Sequence, residues 1–397
     1  MRRSLVTLIF LILAMVLVLT ACGRKYRLQP ENIGDERSWA CSRGSAAQTG
    51  FCDSSAFDGR LDLVWTQGNS GKPAGPLSIH NGALIYPDTR KKVHFYDVET
   101  GHHLGRLKAK GVAQTGVAVA DSFAFWGVAP RRDGFFGYSL NRSRRQWERK
   151  VKDAFSGPIL LGNRLVVSSG EGELLALELD QGEPAWTFQA DQRLTASASF
   201  GHGWIFQPAD RGWLYAVSAD SGRELYRVRL DGPLVSAVAV ADKVYVAVMT
   251  GQVYALESDD GSVVWKTDLG HPIWTSPAVA NGRVFVGHSG GEVVALEAST
   301  GLVLWRYDAG AVIRSSALAV GDCVVTGTMT GLLVVLKADD GVLIDSTTLK
   351  GPIKVSPVTD GRRLLVATEA GKIYCFGDSD EQADLAHKRV NPQLQSQ

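Results

Sequence analysis

No stretch of this chain carries a sustained helical period. That excludes helix bundles and the strand–helix alternation that builds parallel sheets. There is no excess of positive charge. The chain has 42 Lys+Arg, two of them (Arg2 and Arg3) in its first three residues, against 41 Asp+Glu. Without a net basic field, nucleic acid is a poor partner. Cysteine is scarce, and Cys41 and Cys52 have no histidine or second cysteine pair nearby, so a zinc site is not expected. Asp259-Asp260 and Asp339-Asp340 recur at one turn position and lack calcium-loop spacing. The histidines are scattered and form no Ser/His/Asp signature. His102-His103 follows a turn and is expected in solvent, and His271 and His288 point to nothing specific. The expected catalytic residues and metal ligands are therefore none. The apolar run from Leu5 to Leu19 is fifteen residues long, broken by Thr7, and a membrane span needs about 20.

What the chain has is a repeat. Residues 251–291 read GQVYALESDDGSVVWKTDLGHPIWTSPAVANGRVFVGHSGG. Short runs rich in apolar residues are separated by Gly, Asp and Asn, the pattern of strands joined by tight turns. The turn glycines Gly182, Gly222, Gly261, Gly301 and Gly341 are 40, 39, 40 and 40 residues apart. Four residues after each stands Trp186, Tyr226, Trp265, Trp305 or, in the last copy, Asp345. Counting back, the same slot falls at Trp147, Gly105 and Trp65. Eight slots near a 40-residue period, with four strand signals each, indicate the blades of an all-β propeller.

The first strand, Arg60 to Trp65, stands alone, and the last unit, Val355 to Phe376, has three strands. The expected fold is an eight-bladed β-propeller of four-stranded antiparallel blades, closed by the N-terminal strand. Seven blades with a stray first strand is the alternative, and it would make residues 106–150 an irregular blade. The slot tryptophans are expected to pack between neighbouring blades. Small pairs such as Ser276-Pro277 and Ser316-Ala317 are expected where innermost strands crowd the axis. The outer strand of the second blade is basic (Arg142, Arg144, Arg145, Arg149, Lys150 and Lys152). It reads as an edge blunted by charge, or else as a face for anionic headgroups or an acidic partner.

The N-terminus has a basic start, an apolar core and small residues, the pattern of a secretory signal over residues 1–21. Leu19-Thr20-Ala21-Cys22 resembles the bacterial lipobox, which implies cleavage before Cys22 and lipidation of Cys22 (diacylglyceryl and palmitate-type chains). Several chains together anchor a soluble domain stably. By analogy with enteric lipoproteins, Gly23 favours the outer membrane, with the domain facing the periplasm. Residues 22–58 read as a polar tether, 59–377 as the propeller and 378–397 as a polar, disordered tail. Export permits a Cys41–Cys52 disulfide, with two free thiols as the alternative. Cys323 and Cys375 fall on strands and read as buried small hydrophobes.

The unit Ala255-Leu256…Gly261…Trp265, repeated as Ala295-Leu296…Gly301…Trp305, resembles the PQQ-like (quinoprotein-type) propeller repeat over roughly residues 59–377. One branch of that superfamily holds quinone-dependent dehydrogenases, whose quinone lies against adjacent bridged cysteines with a bound Ca²⁺. No two cysteines are adjacent here, so no PQQ cofactor and no enzymatic activity are expected. A divergent quinoprotein dehydrogenase is the alternative. The other branch comprises lipoprotein subunits of the outer-membrane β-barrel assembly machinery. Resemblance to that branch implies a scaffold whose partners are the insertase subunit and unfolded outer-membrane proteins. A different envelope partner or ligand is also open. The branch's Arg-containing contact loop has a comparable place at Asp191–Ala198, making Arg193 and Leu194 candidate contacts. Trp274 and Arg314, just before inner strands, are candidates from chemistry alone.

Overall fold

The computed structural model describes Tyr26 and residues 43–128, 133–154, 156–194 and 196–377. The leader, Cys22, Cys41, Thr195 and the tail from residue 378 lie outside the described residues.

Eight four-stranded antiparallel blades form the ring. Blade six shows the pattern. Its inner strand Ala278–Ala280 leads through Arg283–Gly287 and Glu292–Glu297 to the outer strand Val303–Asp308. The two middle strands are apolar on both faces because a neighbouring blade covers each side. The turn to the outer strand closes with Gly301 N–H donating to the Glu297 carbonyl at 2.8 Å. Gly301 sits at φ +73°, which glycine adopts without a Cβ clash. A register shift of the bulge type follows in the pairing of third and outer strands, and it recurs in every blade. It turns the slot residue toward the next blade.

There the slot tryptophan fills the seam. The indole N–H of Trp65, Trp147, Trp186, Trp265 and Trp305 donates to a carbonyl 32 or 33 residues later, at 2.8–3.0 Å. Tyr226 makes the same reach with its hydroxyl, to the Ser258 carbonyl at 2.7 Å. Each such ring contributes about 2–3 kcal/mol of burial.

The ring closes as expected. Leu63–Gly68 pairs antiparallel with Lys372–Phe376, placing Trp65 opposite Cys375 and completing blade eight. The seven-blade alternative fails because residues 118–149 form a complete second blade.

Two slots lack an aromatic, and the N-terminal segment serves both. In blade seven, the Asp345 carboxylate accepts the Leu61 N–H at 2.8 Å. In blade one, Gly105 lies opposite Phe95. Tyr26 is buried there, stacked on Phe95 with centroids 3.9 Å apart, and its carbonyl accepts from Ser143 Oγ at 2.5 Å.

Residues 46–52, read from the sequence as part of the tether, run along the innermost strands instead. The N–H groups of Phe200, Val240, Val279 and Ala319, one per blade from four to seven, donate to the carbonyls of Ala46, Ala47, Thr49 and Gly50. Phe51–Cys52 then adds to blade seven as a parallel strand opposite Ala319 and Val320. The polar composition of this stretch hides its role, because its backbone rather than its side chains makes most of these contacts.

Candidate functional site: the channel mouth

The inner strands begin at one face of the ring, and the residues leading into them surround a cavity of about 220 Å³. The small pairs expected there line it, including Ser197, Ser236, Ser276, Ser316 and Ser356. Their hydroxyls tie blade to blade. Ser197 Oγ accepts from Gly157 N–H at 2.8 Å, Ser316 Oγ from Ser276 N–H at 2.9 Å, and Ser356 Oγ from Ser316 N–H at 3.1 Å.

Arg43 and Gly50, from the N-terminal segment, also line the cavity. The buried Arg43 guanidinium donates to the carbonyls of Gln48 (2.9 Å), Ala317 (3.5 Å) and Pro277. Burial lowers its pKa to about 9, since an ion loses its hydration there. Sequence reasoning missed Arg43, because nothing in the residues around it separates a channel-filling arginine from a solvated one.

The four residues singled out as contacts part company. Trp274 is half-buried at the cavity wall, and the exposed Arg314 guanidinium lies 4.3 Å from its ring centroid. That cation–π pair joins the loops before blades six and seven and contributes about 0.5–1 kcal/mol. Arg193 stands apart, before blade four. It is exposed, 3.6 Å from Asp153, in a shallow groove with Glu171, Asp191 and Arg211. Leu194 is fully buried between blades three and four, which corrects its reading as a contact. It belongs to the core position that Ile273 and Ile313 fill in blades six and seven.

His103 corrects another expectation. It is half-buried, with Nε2 3.1 Å from His94 Nδ1, and His94 Nε2 lies 3.1 Å from the buried Asp88 carboxylate. Burial, with the nearby His94 and Arg106, lowers the His103 pKa to about 4. His288 is buried against Glu292 at 3.1 Å. Cys323 and Cys375 are buried as expected, and desolvation raises their pKa values to about 11 and about 12. Cys52 is half-buried on the added strand. Its candidate partner, Cys41, lies outside the described residues. Among the described residues, no cluster of three His, Cys, Asp or Glu is placed to hold a metal ion.

A family model described as outer membrane protein assembly factor BamB matches residues 89–202, 179–251 and 210–390. The chain belongs to the BamB family. BamB of Alkalilimnicola ehrlichii is 29% identical over 141 residues, and BamB of Escherichia coli 27% over 147. These matches take in 32% and 34% of this chain and 37% of each relative, so the chain aligns with little more than a third of their length. The crystal structure of BamB from Moraxella catarrhalis superposes with a TM-score of 0.70 at 16% identity, covering 80% of this chain and all of that one. A europium-containing methanol dehydrogenase superposes with a TM-score of 0.76 at 11% identity, covering 87% and 99%. At such identities the superpositions show the shared propeller fold, which BamB and quinoprotein dehydrogenases have in common.

Proposed function

We propose that this protein is a non-catalytic scaffold for outer-membrane β-barrel assembly, tethered to the outer membrane through lipidated Cys22 and facing the periplasm. The match of the BamB family model to residues 89–390 carries this reading. The channel supports it. Arg43 and Gly50 of the N-terminal segment sit in the lining of the 220 Å³ cavity, and several of the small residues around them are bonded from blade to blade. What the molecule offers a partner is therefore its surface, on a rigid ring. The Trp274–Arg314 pair is the candidate contact with the insertase subunit. A large half-buried ring topped by an arginine is the kind of anchor from which interface hot spots are built. Arg193 is a second, separate contact. The reading needs no quinone, since the cysteine pair that would hold one has no counterpart in the sequence.

The test is crosslinking in intact cells with a photoreactive residue at position 274, then purification through a C-terminal tag and mass spectrometry. Recovery of the insertase subunit, lost in the Arg314→Glu variant, is expected. Recovery of a different envelope complex, or of none, would remove the assembly reading and leave the propeller standing.

A further inference from the structure

Tyr26 marks where the N-terminal end of the chain meets the ring. Its side chain is buried in the seam between blades one and two, stacked on Phe95, and its carbonyl accepts the Ser143 hydroxyl at 2.5 Å. Ser143 stands in the turn before the outer strand of blade two, between Arg142 and Arg144. Cys22 precedes Tyr26 by four residues. Even a fully extended chain covers no more than about 14 Å in four residues. A lipid on Cys22 would therefore hold this part of the ring beside the bilayer.

This part of the ring is basic. Residues 141–152 hold six Lys and Arg against one Glu. Arg145 pairs with Glu148, Arg149 with Glu183 and Lys152 with Glu171. Arg142, Arg144 and Lys150 are exposed and have no acidic partner among the described residues. Blunting a sheet edge takes charges on the strand itself. Here Arg142 precedes the strand Arg144–Arg149, and Lys150 and Lys152 follow it. Three and five residues past the slot, blade one carries Lys108 and Lys110 where blade two carries Lys150 and Lys152. Each of blades three to six has an exposed aspartate at one of those two places, as Asp191, Asp231, Asp268 and Asp308. The outer edge of the ring is thus polarised, cationic where Tyr26 docks and acidic across from it.

We propose that the outer edges of blades one and two rest on an anionic lipid surface, with Arg142, Arg144, Lys150, Lys108 and Lys110 against its phosphates. The proposal rests on the reading of Cys22 as lipidated, which puts a bilayer within reach of Tyr26. Each cation close to such a surface favours binding by about fivefold, and its reach is a Debye length, about 8 Å at physiological salt. Blades five and six lie opposite in a ring of eight. They face away from the lipid, and Asp268 and Asp308 with them. The loops of Trp274 and Arg314, before blades six and seven, stay clear of the bilayer.

The experiment uses the acylated mature chain in nanodiscs of phosphatidylethanolamine with either phosphatidylglycerol or phosphatidylcholine. Phenylglyoxal modification of Arg142 and Arg144, read by mass spectrometry, should be about fivefold slower in the anionic discs. The difference should vanish at about 1 M salt, where screening shortens the reach to about 3 Å. Arg223, on blade four, should react alike in both discs. Equal rates at Arg142 and Arg144 in the two discs would overturn the proposal. So would protection that appears only when the insertase subunit is added, since an acidic protein would then be the partner. These comparisons need no variant, so a folding defect cannot mask the answer. A second arm omits the acyl chains. The chain from residue 22 with Cys22→Ala, at about 10 mM salt where charge reaches about 30 Å, should sediment with anionic vesicles and not with neutral ones. Arg142→Gln, Arg144→Gln and Lys150→Gln together should weaken that binding by about tenfold or more. Lys266→Gln, Lys337→Gln and Lys350→Gln together, which remove the same charge elsewhere, should leave it unchanged. Equal loss in the two triple variants, or no binding to anionic vesicles, would overturn the proposal. Because this arm holds no lipidated cysteine, its failure is separable from failure of the anchor reading.

Discussion

The indole of Trp265 packs against the α-carbon of Gly301, so that a Cβ built on Gly301 would fall 2.5 Å from two ring carbons. The same contact joins Trp65 to Gly101, Trp147 to Gly182, Trp186 to Gly222 and Trp305 to Gly341. The two positions that set the period of the sequence are thus the two halves of one joint, each pair spanning two blades. The Gly301→Ala variant should lose about 1–3 kcal/mol, from the positive φ and the displaced ring together. Chemical denaturation measures it, with Gly282→Ala as the comparison. Gly282 shares the positive φ (+71°) and has open space around its missing Cβ.

Ring closure gives a second expectation. The strand Leu63–Gly68 supplies the outer edge of blade eight and buries Trp65 against blade one. Deleting residues 59–68 should replace the cooperative unfolding transition with a broad one. An unchanged transition by circular dichroism would show that the ring does not depend on this strand.

Arg43 holds the N-terminal segment in the channel. Arg43→Ala removes a buried cation together with its bonds to Gln48, Ala317 and Pro277. Hydrogen exchange should then accelerate at Phe200, Val240, Val279 and Ala319, whose N–H groups bond this segment. Amides of the middle strands, such as those of Arg283–Gly287, should keep their protection.

The fold should weaken in mild acid. His103 has a folded pKa near 4, below its ordinary value, because burial and the neighbouring His94 and Arg106 disfavour the cation. His288 is lowered too, chiefly by burial. Between about pH 6.5 and pH 4 the unfolded chain binds protons that the folded chain does not, so stability falls with falling pH across that window. Urea denaturation at several pH values should show this slope, and His103→Gln should flatten it.

The lipid anchor is testable apart from the propeller. Cys22→Ala should move the protein from the membrane fraction to the soluble periplasmic fraction. Retention in the membrane would count against acylation at Cys22.

The fold was legible because its period is local. Glycine at a left-handed turn and tryptophan four residues later must recur wherever a blade joins the next, so spacing alone gave eight blades and the closing strand. The channel mouth was half legible. The positions of Trp274 and Arg314 could be read, but not their contact, since they lie 40 residues apart on different blades. Arg193 and Leu194 are adjacent in the chain and opposite in environment, and only the packing of blades three and four separates them.

Composition and repeat by themselves determined the all-β class, the blade count and the interblade joints, because these depend on residues within one or two periods. Tertiary structure alone decided where residues 43–58 lie, how Tyr26 and Asp345 serve the two slots without an aromatic, and that Trp274 and Arg314 meet at the channel mouth. Those relationships join segments tens to hundreds of residues apart, often through backbone groups that every residue carries. No local pattern records them, and the closure of the ring brings them together.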